Sequence, residues 1–348
     1  MTQPSLTIAI PTYNRSRYLD FLLSVLAKEV KGLGGRVSVF VSDNASSDDT
    51  GTVIARHRQV FAELVTQRNA ENIGPDRNIE SCFARCESPY VWIMGDDDVP
   101  LPGAIEQLLA MLETQSPDMV YLPSVGSVDV ARDQPLRARV ESSWRSLSRE
   151  RFTSVVNVQF TFISGLVLRK ASATPASIAA ALAHTHESKL VQLAWTFEIL
   201  NQGKRFVLAR TPMLMATAGN SGGYAVLEVF LVNHTRIAQT LLAGRPGLVR
   251  RILARTSSCF VPGLIWYIRN NKMGRFELPS IEEVHVPAAL ARLVSFRLLV
   301  EPIWRLPAAV AAPFFQISRV VARVARAFDN LVVDLGSERV EPPRTPSP

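Results

Sequence analysis

Three consecutive aspartates, Asp96, Asp97 and Asp98, follow Gly95 at the end of the apolar run Tyr90 to Met94. Adjacent carboxylates repel one another, so such a cluster is stable only beside a cation or several hydrogen-bond donors. A divalent ion would compensate them: hard Mg²⁺ or Mn²⁺ takes one or two carboxylates and fills its remaining positions with water and phosphate oxygens. A solvated acidic turn ahead of a helix after Pro102 is the alternative reading. Three other polar clusters have the same kind of placement. Pro11-Thr12-Tyr13-Asn14-Arg15 ends one apolar run, and Ser42-Asp43-Asn44-Ala45-Ser46-Ser47-Asp48-Asp49-Thr50 ends a second. Asn72-Ile73-Gly74-Pro75-Asp76-Arg77-Asn78 opens a helix, where backbone N–H groups and a guanidinium together favour a diphosphate.

These clusters need a frame that brings them together. Leu6 to Ile10, Val37 to Val41 and Tyr90 to Met94 read as short buried strands, and Tyr18 to Leu26, Asp48 to Val60 and Arg77 to Arg85 as helices between them. Strands alternating with helices imply an α/β fold with a mainly parallel sheet and helices on both faces. Ligands of such sheets bind outside the carboxyl ends of the strands, where every cluster named above falls. Further on, Ala104 to Leu112 and Leu190 to Asn201 read as helices, and Met119 to Leu122, Phe160 to Leu168 and Arg205 to Ala209 as strands. The expected division is a domain over residues 1–218, a helical, basic region over 219–335 and a disordered, proline-rich tail over 336–348. Gly219 to Gly223 reads as the connector between the first two.

The chain has 348 residues, 47% of them hydrophobic and 20% charged, which places it among folded proteins and excludes collagen-like and low-complexity classes. Its cysteines, Cys82, Cys86 and Cys259, are too few and scattered for a disulfide framework, which suits a reducing compartment. No segment looks like a secretory leader. Leu306 to Ser318 is uncharged but carries Pro307 and Pro313 and is shorter than the roughly 20 residues a membrane span needs, so no transmembrane helix is expected. The net charge of +7 is uneven, with 22 basic and 22 acidic residues up to position 220 and 16 against 9 beyond it.

The ordered motifs "IPTYNR", "VSDNASSDDT", "NIGPDRN" and "GDDD" resemble those of the bacterial nucleotide-diphospho-sugar glycosyltransferases of family 2 with the GT-A fold, a Rossmann-like sheet. The resemblance covers about residues 5–215. It implies that Pro11, Thr12, Tyr13 and Arg15 lie beside the nucleotide, and that Asp43 accepts a hydrogen bond from the base. A carboxylate suits that task because it is a pure acceptor; a turn-capping role is the alternative for Asp43, and the favoured one for Asp48. Arg68, Arg77 and Asn78 are implied at the diphosphate and Asp96 and Asp97 at the nucleotide sugar. Asp98 and Asp96 are the implied ligands of a Mg²⁺ or Mn²⁺ cofactor, which would stabilise the departing nucleoside diphosphate.

Many members of the family carry an acidic pair at the start of the helix that here spans Leu190 to Asn201, where this chain has Val191 and Gln192. The nearest titratable groups are His184, His186 and Glu187, the candidate bases. Inversion and retention both stay open. "FISGLVLRK", the missing pair and "GNSGG" point toward the subset that adds dideoxyhexoses such as abequose to O-antigen units, with Ser164-Gly165 and Asn220-Ser221 as possible contacts to sugar hydroxyls or phosphate. Phe314, Ile317, Val321, Val324, Phe328 and Leu331 share one side of a late helix and Arg319, Arg323 and Arg326 the other. A basic amphipathic helix suits an anionic membrane surface; packing on its own domain is the alternative. The expected function is therefore metal-dependent transfer of a sugar from a nucleotide diphosphate to a hydroxyl of a lipid-linked saccharide, at the inner face of the cytoplasmic membrane. No nucleic-acid partner is expected. A nucleotidylyltransferase and a non-catalytic sugar-nucleotide or glycan-binding protein are the alternatives.

Overall fold

The first strand, β1 (Leu6–Thr12), alternates strictly: Leu6, Ile8 and Ile10 join one hydrophobic core and Ala9 joins another on the opposite face. Period-two burial on both sides is what a central strand requires. The computed structural model describes residues 4–61, 64–131, 139–217, 225–270, 272, 278–336 and 338–340. Beside β1 lie β2 (Val37–Asp43) and β4 (Tyr90–Ile93), both parallel to it, and β3 (Leu64–Arg68) extends the sheet beyond β2. Between them run α1 (Ser16–Glu29), α2 (Thr50–His57) and α3 (Pro75–Arg85). Leu19, Leu22, Leu23 and Leu26 of α1 recur at spacings of three and four and are fully buried on one face of the sheet. Cys82 and Phe83 of α3 are buried on the other.

The sheet continues through β6 (Met119–Tyr121), β8 (Trp144–Leu147), β9 (Leu166–Arg169) and β10 (Phe206–Ala209). A ninth strand, β12 (Glu338–Val340), closes one edge, giving the order β12-β8-β10-β6-β9-β4-β1-β2-β3. The pairings reverse only β8 and β9, so the sheet is mostly parallel. The helices α4 (Ala104–Gln115), α5 (Arg149–Val156), α6 (Pro175–Leu182) and α7 (Leu193–Gln202) complete its two coats. A small second sheet of β5 (Asp98–Pro100), β7 (Ser124–Ser127) and β11 (Leu214–Thr217), in the order β5-β11-β7, has no counterpart in the sequence reading.

The C-terminal third is helical, as expected: α8 (His234–Leu241), α9 (Pro246–Arg255), α10 (Val261–Arg269), α11 (Ala288–Ala291), α12 (Val294–Leu299), α13 (Glu301–Arg305) and α14 (Ala308–Gly336). The helices from α10 onward gather around a third core that includes Leu264, Ile265, Phe296 and Trp304, whereas α8 and α9 bury Ile237, Ala238, Leu248 and Ile252 in the core that also takes Ala9. Two π-helical turns, Glu228–Asn233 and Thr256–Phe260, lead into α8 and α10 and meet through Phe230 and Phe260, whose ring centres are 4.9 Å apart.

Four expectations differ from the structure. Phe160 to Leu168 is strand only from Leu166; before it lie the 3₁₀ turns Asn157–Thr161 and Ile163–Gly165, held where Trp92 Nε1 donates to the Ser164 carbonyl at 2.7 Å. Residues after 336 are not all tail, because β12 pairs antiparallel with β8. Pro307 and Pro313 do not divide the last helix. Pro307 precedes α14, where its missing N–H costs nothing, and Pro313 loses one bond in the second turn only. As a result, Ala308–Leu331 is long and apolar enough to cross a membrane by length and composition, contrary to the expectation from the shorter run. Gly219 to Gly223, with Asn220 and Ser221, lies outside the described residues.

Candidate active site

β1 and β4 are adjacent and parallel with Ala9 opposite Ile93, so their carboxyl ends emerge side by side. Thr12 ends β1, and Asp96 stands just past β4. Thr12 Oγ1 donates to Asp96 Oδ2 at 2.7 Å, while Arg15 Nη1 reaches Asp96 Oδ1 at 3.1 Å and Asp97 Oδ2 at 3.0 Å. One guanidinium thus bridges two of the three carboxylates. Asp96 is nearly fully buried, and burial pushes its pKa up to about 6 against the opposing pull of Arg15.

Asp98 opens β5 and is held from two sides. Ser164 Oγ, which itself accepts from Gly95 N at 2.9 Å, donates to Asp98 Oδ2 at 2.5 Å. Thr217 N, on the neighbouring β11, donates to Asp98 Oδ1 at 3.3 Å. Burial and the nearby charge of Asp97 push the Asp98 pKa up to about 7, and no cation among the described residues offsets them. The backbone can approach this closely because residue 95 is glycine: a Cβ there would stand 3.0 Å from Asp97 Oδ1 and 3.1 Å from Asp98 Oδ2.

The donor set fits a hard divalent ion. Each carboxylate oxygen has a second lone pair left after its protein hydrogen bond, and the concentrated negative charge at Asp98 is what a cation would relieve. Among the described residues no three His, Cys, Asp or Glu side chains converge as a closed cage.

The second cluster also comes together. Asp43 at the end of β2 is fully buried; Ser46 N donates to its Oδ1 at 2.9 Å and Arg68 Nη1, from the end of β3, to its Oδ2 at 2.5 Å. Arg68 also donates to the Ser46 carbonyl at 2.6 Å, so the arginine closes the loop over Asp43. Asp48 caps two helices: it accepts from Ser16 N at the start of α1 at 2.9 Å and from Thr50 N at the start of α2 at 3.1 Å. Tyr13 is 43% exposed at the mouth, and Pro11 lies opposite Ser42 between β1 and β2.

At α3, Arg77 is exposed and contacts no partner among the described residues, whereas Asn78 is buried. The Asn78 amide is consumed by the fold: Ser42 Oγ donates to its Oδ1 at 2.7 Å, and its Nδ2 donates to the Ser42 carbonyl at 3.1 Å. Asn78 ties α3 to the end of β2.

The expected base segment is held elsewhere than the aspartate cluster. His186 Nε2 pairs with Glu80 on α3 at 2.9 Å in an exposed position, and His184 is exposed. Lys189 N donates to Asp76 Oδ2 at 3.0 Å, and Glu187 takes a left-handed backbone conformation at φ 61°. No contact among the described residues joins this segment to Asp96, Asp97 or Asp98. At the helix start where the acidic pair is missing, Gln192 is buried and donates to the Thr161 carbonyl at 2.6 Å, under the turn that carries Ser164. Ser164 therefore contacts an aspartate rather than standing free for a sugar. Thr217 escaped the sequence reading because nothing local marks a backbone donor that acts across two strands.

A mostly parallel sheet with carboxylates clustered at its carboxyl edge, coated by helices on both faces, is the architecture of the GT-A fold. Residues 7–173, just under half of the chain, match the model of Glycosyl transferase family 2. The abequosyltransferase RfbV of Salmonella typhimurium is 28% identical over 177 residues, 47% of this chain and 53% of that protein. The GalNAc(5)-diNAcBac-PP-undecaprenol beta-1,3-glucosyltransferase of Campylobacter jejuni is 29% identical over 109 residues, 30% of this chain and 34% of that one. The chain thus spans about half or less of the curated relatives it matches. The crystal structure of Staphylococcus aureus TarS 1-349 in complex with UDP shares the fold at 16% identity, with a TM-score of 0.56 over 97% of this chain and 99% of that one.

Proposed function

We propose that this protein transfers a sugar from a nucleotide diphosphate donor to a hydroxyl of a lipid-linked saccharide in cell-surface polysaccharide synthesis. The observation that carries this reading is the joining of the β1 end to the acidic turn, through Thr12 and Arg15 on Asp96 and Asp97. It is the arrangement a nucleoside diphosphate needs: acceptors for the base and ribose at Asp43 and Asp96, and cations for the phosphates at Arg77 and Arg68. The name of the Campylobacter relative, which carries a saccharide linked to PP-undecaprenol, supports an acceptor of this kind.

Asp98 and Asp96 would hold Mg²⁺ or Mn²⁺, which supplies Lewis-acid stabilisation to the leaving diphosphate when bound. Arg15 keeps Asp96 and Asp97 oriented, and Ser164 and Thr217 N fix the Asp98 carboxylate so that it need not reorganise as substrate arrives. Glu187 is the proposed base toward the acceptor hydroxyl. Of the three candidates, its backbone is the one set in a left-handed conformation, just before the Ser188–Lys189 peptide, whose carbonyl accepts from Asn233 Nδ2 and whose N–H donates to Asp76.

For its location, we propose that the protein lies peripherally on the inner face of the cytoplasmic membrane. Arg319, Arg323 and Arg326 are exposed on α14, and so are Ile317, Val324, Phe328 and Leu331. The helix is read as lying on the bilayer because Ala311, Phe315, Ser318 and Ala322 bury another of its faces, with Phe315 stacked on Trp266 at 4.7 Å. A screen of UDP-, GDP-, CDP- and dTDP-sugars, reading hydrolysis with Mn²⁺ and with excess EDTA, tests the donor reading. Release of nucleotide from one donor class, abolished by EDTA, is expected; turnover of none, or full turnover in EDTA, sinks the metal-dependent mechanism.

A further inference from the structure

A cleft of about 280 Å³ opens between the segment that carries Ser164, the strand β11 and the two π-helical turns. Three aromatic rings wall it. Phe230 and Phe260 come from one π turn each and meet at 58°, and Phe162 stands two residues before Ser164. Phe162 is fixed over Gly165, where a Cβ would stand 2.9 Å from its ring. Ala216, another wall, lies directly opposite Asp98 in the pairing of β11 with β5. Opposite residues of an antiparallel pair share a face of the sheet, with their Cβ atoms about 5 Å apart, so the cleft adjoins Asp98. The π turn of Phe230 ends at Asn233, whose Nδ2 donates to the Ser188 carbonyl at 3.2 Å, one residue from Glu187.

We infer that this cleft is the acceptor subsite and takes a neutral sugar ring, its C–H face stacked on the phenylalanines and one hydroxyl turned toward the donor at Asp98. This deepens the transferase reading and rests on it. Aromatic rings offer negative faces to the weakly positive C–H bonds of a pyranose. Polar groups stand in the same walls. Gln159 and Ser124 are exposed, and Thr161 Oγ1, which donates to the Val158 carbonyl at 2.7 Å, keeps lone pairs for a sugar hydroxyl. An apolar lining with a few polar groups is how small-molecule sites fix orientation. No lining side chain among the described residues is charged, so a uronate or a phosphate would lose hydration there without gaining a counter-ion. An isoprenoid chain would cover the polar groups and leave them without partners. Each π turn spends an extra backbone residue where it presents its ring, and turns of this kind recur at functional sites.

The test uses the full chain with methyl α-glycosides of glucose, galactose, mannose and rhamnose, and with farnesyl diphosphate as the isoprenoid probe, read by saturation-transfer NMR. At least one glycoside should receive saturation at its ring C–H protons. Phe230→Leu with Phe260→Leu keeps an apolar wall and removes the π faces, and it should weaken glycoside binding about tenfold. Ser124→Trp, at an exposed strand position, plugs the cleft without entering a core and should abolish binding, so it reads the cleft even if the leucine variant unfolds. Tyr267→Leu, at an exposed aromatic outside the cleft, should bind as the wild type does. Glycoside binding that is absent from the wild type, or unchanged in either folded cleft variant, overturns the subsite. So does a cleft that takes farnesyl diphosphate in place of the glycosides. Nucleotide-sugar hydrolysis by the wild type is read separately. If it proceeds while no glycoside binds, the transferase reading survives without the subsite; if it is absent while glycosides bind in the cleft, the transferase reading falls, and with it the acceptor role.

Discussion

Replacing Asp98 with Asn should separate the function of this residue from its burden on the fold. Its carboxyl has a folded pKa of about 7 against an ordinary value of 3.8, raised by burial and by Asp97. Between those values the folded protein holds a proton that the unfolded chain has released. Stability therefore falls as pH rises from about 4 to about 7 and stays reduced above it. Asn carries no such proton, so the variant lacks this slope. At about 1.36 kcal/mol per pH unit, the stability of Asp98→Asn relative to wild type should improve by about 3 kcal/mol between pH 5 and pH 8. Asn cannot accept from both Ser164 Oγ and Thr217 N, a mismatch of about 1 kcal/mol that is independent of pH and leaves the slope intact. Urea unfolding of both proteins in EDTA at the two pH values measures the difference. Added Mn²⁺ should stabilise the wild type at pH 8 and do nothing for the variant, which should also lose transfer. A variant gap that stays constant with pH would refute the claim that Asp98 is a destabilised, buried carboxylate awaiting a cation.

Asp43→Ala should weaken nucleotide binding by about 1–3 kcal/mol, as expected for a lost hydrogen bond to a charged group, and calorimetry with the cognate nucleotide reads it; unchanged affinity would leave Asp43 as a loop anchor for Arg68 and Ser46 alone. Glu187→Gln should lower turnover by roughly 10²–10⁴ with donor affinity retained. His184→Ala and His186→Ala should stay near wild type, since His186 is spent on Glu80 at the surface; a loss of turnover in either histidine variant instead of Glu187→Gln would reassign the base. Ser164→Ala should weaken Mn²⁺ binding while Ser164→Thr restores it, because the hydroxyl between Gly95 N and Asp98 is what orients the carboxylate. Equal metal affinity in all three would show that Ser164 only packs.

The parts of this protein that were legible in sequence are those whose cause is local. Leu6 to Ile10 and Tyr90 to Met94 could be read as strands because apolar runs bounded by Pro11 and by Gly95 have few other uses, and both form, although β1 runs on through Pro11 to Thr12. The polar clusters after them could be placed at one edge because strands joined by helices run parallel and bring their carboxyl ends together. Short elements were lost: Leu64–Arg68 is a half-exposed edge strand, and Asp98–Pro100 contains a proline and only three residues, too few for any period to show.

What only the tertiary structure decided is which neighbours each polar group finds. The sequence shows three aspartates in a row, but not that Arg15 takes Asp96 and Asp97 and leaves Asp98 to a serine and a backbone N–H from segments 66 and 119 residues further along. It shows Asn78 within a promising motif, but not that Ser42 has already claimed its amide. The same holds for α14: its periodicity displays an apolar side and a basic side, yet the face that packs is a third one, through Ala311, Phe315, Ser318 and Ala322. Periodicity reports which residues share a side of an element. Which side meets the protein and which meets its surroundings depends on packing between segments distant in sequence, and no local pattern encodes it.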